Sequence, residues 1–395
     1  MNILVVLNMQ MDSRSVSGVM RLYAMAAEVW MARGHQTDFL LAKAGFPRLR
    51  ELAPAGCRLV ASDRLFNATR YLGKTWLYFP AYFWRLVTCH WTRLPVQYDL
   101  VYASNHFVVE FYTAMILARR QRAKLAVKVH HLVHFQPRRR SAWDHLFLSA
   151  ERLSARLING HADAVFCLNR LIAEDFRRLE ELCGLRPSPV TLMGNGIDVE
   201  ALARLPAEAK QFEAVFLGRL HLHKGALDLP RVWQQVVQHR PNARVVVIGE
   251  GPHRRQSEQR FRELGLGHLA RFTGGISEAE KNRLLKQSRL GLSLSYEEGW
   301  GLSVMEFLAA GLPVVAYDLP VFREVFPDCF TLVPLGDLAG AAREMARLLG
   351  EPAERERRGV EGQEFVRRYD YRVFAARELE VLAGLVAATP QAQPA

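Results

Sequence analysis

The sequence predicts an α/β chain made of two doubly wound, Rossmann-like halves. Three observations carry this. At 395 residues the chain is long enough for two domains of ordinary size, each burying its own core. Short apolar runs of strand length alternate with helical stretches, the pattern of parallel sheets covered on both faces. The alternation runs as two series with a plausible hinge at 206–211, which fits two halves better than one large sheet. The expected domains are 1–205 and 206–365, followed by a C-terminal helix over 366–388 that returns to the first domain and a disordered tail over 389–395.

Each element has a local reason. Ile3–Leu7 is a buried first strand, too short and too poor in leading basic residues for a signal peptide. A polar loop through Asp12 and Ser17 feeds a helix from Gly18 to Arg33, ended by Gly34 at the C′ position. Thr37–Ala42, Tyr98–Ala103, Leu125–Val129, Ala164–Leu168 and Val190–Met193 are the next strands, with a turn at Asn195-Gly196. The second series is Ala214–Leu217, Val245–Ile248, Ala270–Phe272, Leu290–Leu294, Pro313–Tyr317 and Thr331–Val333. Between its first two strands a helix is expected over Lys224–Arg240, irregular at Pro230.

Composition bounds the function. The five cysteines are scattered and never spaced C-x-x-C, which argues for a reducing compartment and against a zinc or disulfide framework. No run approaches the roughly 20 apolar residues of a membrane-spanning helix. Residues 1–205 carry 27 Lys/Arg against 16 Asp/Glu, a balance of +11, while the rest carry 25 against 24, a balance of +1. A basic first half suits an anionic partner, nucleic acid or membrane. The stretch 71–94 places eight aromatics between Tyr71 and Trp91, interspersed with Lys74, Arg85 and Arg93, a mixture that suits a bilayer interface or an ordinary buried helix. Arg138-Arg139-Arg140 adds a basic run. The expectation is a cytoplasmic protein with the inner face of the cytoplasmic membrane as a docking surface.

The chemistry concentrates in Ser295–Pro313. A strand turns through Glu298-Gly299-Trp300-Gly301 and enters a helix at Ser303, where Ser303 and Glu306 fit a capping box and Gly311 closes the helix. A glycine loop feeding a helix N-terminus is an anion site. Glu298 and Glu306, eight apart, flank it. Carboxylates beside an anion site make sense when the ligand carries both phosphates and hydroxyls, as a nucleotide sugar does. Upstream, Phe216-Leu217-Gly218-Arg219 ends a strand, and Arg219 and Lys224 leave that loop beside the next helix.

With Ile248-Gly249-Glu250-Gly251-Pro252, Phe272-Thr273-Gly274 and Asn195-Gly196-Ile197-Asp198, these segments closely resemble retaining glycosyltransferases of family 4. The resemblance implies the GT-B fold, two doubly wound domains facing a cleft. In the first half it covers the Ile3 strand, the helix opening at Gly18, Arg33-Gly34-His35 and the His130 position. Two departures stand out: Ser17-Gly18 replaces a common pair of glycines, and Leu319-Pro320 replaces another after Asp318. By resemblance, Arg219 and Lys224 hold the donor diphosphate and Glu306 the ribose hydroxyls. Glu298 contacts the transferring sugar, with main-chain groups from Gly299, Trp300, Gly301, Leu302 and Ser303. His130 reaches the sugar from the first domain, and Gly18 and Asn195 are lesser donor contacts. No Asp-x-Asp occurs, so no metal and no other cofactor is expected, and the two cations act in place of Mg²⁺. The implied acceptor is a lipid-linked or cell-envelope glycan, with no nucleic acid as partner.

Other readings compete. A nicotinamide-dependent enzyme needs G-x-G-x-x-G after its first strand, where this chain has Asn8-Met9-Gln10. A nucleotide-sugar epimerase or glycogen-type phosphorylase on the same fold is the nearest enzymatic rival. A basic nucleic-acid- or membrane-binding scaffold explains the charge but not the carboxylate-flanked glycine loop.

Overall fold

The computed structural model describes residues 1–8, 18–62, 78–132 and 142–388, with backbone alone for 78–80 and 142–144. Asp12, Ser17, Lys74, Arg138-Arg139-Arg140 and the tail over 389–395 lie outside the described residues. The chain divides into two compact units. One is Met1–Gly196 together with the chain from Tyr371 onward, and the other is Ile197–Asp370.

In the first unit seven parallel strands are described: β1 (Asn2–Val6), β2 (Gln36–Leu41), β3 (Leu59–Ala61), β4 (Leu100–Ala103), β5 (Lys124–Val129), β6 (Ala164–Cys167) and β7 (Val190–Leu192). Their order is β3-β2-β1-β4-β5-β6-β7, so the strand order reverses between β1 and β4. Ile3, Leu4, Val5 and Val6 are fully buried, as expected of a central strand covered on both faces. The helix Gly18–Ala32 buries Met20, Tyr23, Ala24, Ala27 and Trp30, one helical stripe. Against this helix packs Tyr371–Ala387, which buries Ala375, Leu379 and Leu382 in the same core cluster. Trp30 Nε1 donates to the carbonyl of Ala375 at 2.9 Å.

The second unit holds six parallel strands: β8 (Phe212–Leu217), β9 (Val245–Ile248), β10 (Ala270–Gly274), β11 (Ser288–Ser293), β12 (Val314–Tyr317) and β13 (Phe330–Val333). Their order is β10-β9-β8-β11-β12-β13, with the reversal between β8 and β11. Both sheets therefore have the doubly wound form, in which ligands bind outside the carboxyl ends of the strands where the order reverses.

Three sequence expectations need correction. The unit boundaries fall at 196/197 and 370/371 rather than 205/206 and 365/366. The reason is that Val199–Ala203 packs on the helix Leu302–Ala309 and Ile197 bridges to Asp370, both within the second unit. Lys224 lies in a 3₁₀ turn, Leu222–Lys224, and the α-helix begins only at Leu229. Pro230 stands in its first turn, where an N–H has no intrahelical partner to lose, so nothing is irregular there. Arg85 is not part of an exposed basic surface. It is buried on the helix Tyr78–Thr88 and donates to the carbonyl of Asn8, while Phe83, Trp91 and Arg93 are exposed.

Candidate functional site

The loops after β8 and β11 meet where the second sheet's strand order reverses. Gly225 has φ of 71°, and a Cβ there would lie 2.3 Å from the carbonyl oxygen of Leu294, so only glycine lets the β8 loop close on the end of β11. The amide of Tyr296 donates to the carbonyl of His223 at 2.7 Å, locking the two loops together. Gly249 and Gly251 permit a similar approach of the β9 loop, whose Cβ positions would fall 2.0 Å from the carbonyl of Gly218 and 2.3 Å from that of Leu220.

This framework brings Lys224 and Glu298 into contact. Lys224 Nζ lies 2.5 Å from Glu298 Oε1, and the hydroxyl of Ser295 donates to the same oxygen at 2.8 Å. Ser295 is buried, and its position at the mouth of β11 was not singled out from sequence because one serine at a strand end carries no pattern. Arg219 is exposed just beyond β8, and no carboxylate among the described residues pairs with it. The corner thus holds two cations, of which one is already matched by an acid.

The helix after the glycine loop spans Leu302–Ala309. Its N-cap is Gly301, with φ of 102°, and no side chain caps it. The expected capping box of Ser303 and Glu306 is therefore absent, because the left-handed glycine starts the helix earlier and puts Ser303 inside its first turn. A Cβ at Gly301 would meet Phe322 at 3.0 Å. The first amides of any helix lack intrahelical partners, which leaves those of Leu302 and Ser303 as donors for an anion. Trp300 turns inward: its ring is edge-on to Tyr369 at 5.9 Å and its Nε1 contacts Met305 Sδ at 3.2 Å, so it offers the loop main chain only, as Gly299 must.

Glu306 is buried, and its Oε1 accepts from Lys281 Nζ at 2.7 Å. Lys281 is buried too and also reaches Glu278 Oε2 at 2.6 Å. Sequence reading passed over Lys281, since a lysine in the run Ser277-Glu278-Ala279-Glu280-Lys281 has the look of a solvated helix start.

His130 and Asn195 belong to the first unit, where both line a small cavity with Tyr23, Lys128, Tyr371 and Glu378. Lys128 Nζ pairs with Glu378 Oε1 at 2.7 Å, and the Tyr102 hydroxyl donates to the same oxygen. His130 Nε2 lies 2.9 Å from the carbonyl oxygen of Ser104. A carbonyl only accepts, so Nε2 carries the hydrogen and, in the neutral ring, Nδ1 is the acceptor. Burial, then the charge of Lys128, pushes the imidazole pKa down to about 3, so the ring is neutral near pH 7. Gly18 is the exposed first residue of Gly18–Ala32.

Two family models divide the chain between them: Glycosyltransferase Family 4 matches residues 16–201, and Glycosyl transferases group 1 matches residues 200–365. The chain belongs to the family 4 glycosyltransferases. Among curated relatives, a phosphatidyl-myo-inositol mannosyltransferase of Mycobacterium leprae is 30% identical over 225 residues, 54% of this chain and 58% of the relative. A GDP-mannose:cellobiosyl-diphosphopolyprenol alpha-mannosyltransferase of Xanthomonas campestris is 25% identical over 214 residues, 53% of this chain and 56% of the relative. The family 4 chain described here thus spans a little over half the length of these relatives. Among solved structures, Anabaena Alr3699/HepE in complex with UDP and glucose superposes with a TM-score of 0.75 at 17% identity, covering 97% of this chain and all of the other. The fold is GT-B.

Proposed function

We propose that this family 4 chain is a retaining glycosyltransferase that moves a sugar from a nucleotide-diphosphate donor to a hydroxyl of a lipid-linked or cell-envelope glycan. The observation that carries the reading is the Lys224–Glu298 contact at the reversal of the second sheet, with Arg219 exposed beside it and the helix Leu302–Ala309 opening from the same loop. A diphosphate arriving there takes the ammonium of Lys224 and the guanidinium of Arg219. Glu298, still held by Ser295, then turns from its lysine to the hydroxyls of the sugar.

As the glycosidic bond breaks, negative charge grows on the leaving diphosphate. Fixed cations and helix-start amides stabilise that charge more than the ground state, which is where rate enhancement comes from. Arg219 and Lys224 serve here in the place a divalent cation would take. Glu306 accepts from the ribose hydroxyls. In this reading the acceptor hydroxyl attacks from the face the diphosphate leaves, and a phosphate oxygen takes its proton. The relatives' names, a phosphatidylinositol and a polyprenol diphosphate mannosyltransferase, support an amphiphilic acceptor.

A thermal-shift screen with UDP- and GDP-sugars tests the donor. Ligand at 100 times its Kd stabilises the native state by about 2.7 kcal/mol and raises Tm accordingly. No shift with any nucleotide sugar would sink the reading. Product formed with the anomeric configuration inverted, by NMR, would remove the retaining part alone.

A further inference from the structure

Resting on that reading, we propose that Lys281 is a positioning residue for the donor: its buried ammonium orients the Glu306 carboxylate toward the ribose. Lys281 stands on the helix Glu278–Lys286, which precedes β11, while Glu306 stands on Leu302–Ala309, which follows it. The bond between them at 2.7 Å joins two elements on either side of the strand that delivers the glycine loop. Both side chains are more than nine-tenths buried, at 8% and 7% exposure, whereas the lysine's other partner, Glu278, is half exposed. A carboxylate at that depth is costly without a counter-charge. The ammonium holds Oε1 of the carboxylate, which fixes the orientation of the group.

The lysine's charge also has another claim on it. In this corner of the unit, Lys224 is matched to Glu298 and Arg219 faces solvent, so diphosphate recognition is provided for without Lys281. Its role is therefore toward the sugar of the nucleoside and not toward the phosphates.

The experiment compares binding of UDP and GDP with their 2′-deoxy and 3′-deoxy counterparts and with inorganic pyrophosphate, by calorimetry on the whole chain. Wild type is expected to prefer the ribonucleotide by about tenfold or more, the worth of a charge-assisted hydrogen bond. In Lys281→Met the preference falls to about twofold or less while pyrophosphate binding is unchanged. Lys281→Arg, which returns a cation, recovers part of it. A Lys281→Met protein that keeps the full ribose preference overturns the proposal. A second comparison does not depend on that variant folding: in a Glu306→Gln background, where no buried anion is left unpaired, adding Lys281→Met changes nucleotide affinity by less than about twofold. A further loss there means that Lys281 acts on something other than Glu306, and also overturns it. Failure of wild type to bind UDP, GDP or pyrophosphate would instead sink the donor reading itself.

Discussion

Lys224 keeps about a fifth of its side chain in solvent and touches an acid that is nine-tenths buried. Arg219 is exposed, so Arg219→Ala should leave Tm nearly unchanged, whereas Lys224→Ala takes the counter-charge from a nine-tenths-buried acid and should lower Tm as well. Either replacement should lower turnover roughly 10²–10³-fold, the cost of losing one preorganised electrostatic contact. Steady-state kinetics beside a melting curve separates the two effects, and near-normal turnover in either variant would count against the assignment. His130 behaves in the opposite way. Its pKa in the fold, about 3, lies below the ordinary value of 6.5, so between those values the unfolded chain binds the extra proton. Stability is thus lost as pH falls from about 6.5 toward 3, by up to about 1.4 kcal/mol per pH unit from this group alone. Denaturant melts of wild type and His130→Gln at pH 7, 6 and 5 should converge on the acid side. Parallel curves would mean that the ring is not held neutral.

At the scale of elements, the position of Lys224 depends on a glycine. Gly225→Ala adds a methyl into the carbonyl of Leu294 and forces an L-residue into left-handed backbone, so a loss well beyond 1 kcal/mol is expected, together with weakened donor binding. Wild-type stability in that variant would show that the two loops are not in the contact described. This corner also shows what a sequence can tell. The strands were legible as short apolar runs alternating with helical stretches, and even three-residue β7 was read because the Asn195-Gly196 turn follows it; β3, Leu59-Val60-Ala61, had no such signal, lying between Arg58 and Ser62. Glu298 and Glu306 stood out in the sequence because two carboxylates, eight residues apart, flank one glycine loop. Ser303 misled because it satisfies a capping spacing that the positive φ of Gly301 overrides. Lys281 left no trace, because burial of a charged side chain is decided by packing from a distant element and not by its neighbours in the chain. The exposed aromatics Phe83 and Trp91, beside Arg93, leave a basic first half with apolar side chains turned to solvent, which is the chemistry of a bilayer interface. Sedimentation with anionic vesicles, reversed by salt and weakened in Phe83→Ser/Trp91→Ser, is the expected outcome; indifference to lipid charge would remove the membrane from the account. Among the described residues no helix is long and apolar enough to cross a membrane.

At the scale of the whole molecule, the first unit is discontinuous in sequence: residues up to Gly196 are completed by Tyr371–Ala387. That helix supplies Ala375, Leu379 and Leu382 to the core and Glu378 to the buried pair with Lys128. Removing it would bare Trp30 and Ala27 and strand a lysine without its acid, a loss of about 3–5 kcal/mol from the charge alone. On a ribosome adding roughly 5–20 residues each second, the nascent first sheet must wait for 174 intervening residues (370 − 196) before its missing wall is synthesised. During that interval its apolar face is a target for chaperones, whereas Ile197–Asp370 emerges as one uninterrupted piece and can close by itself.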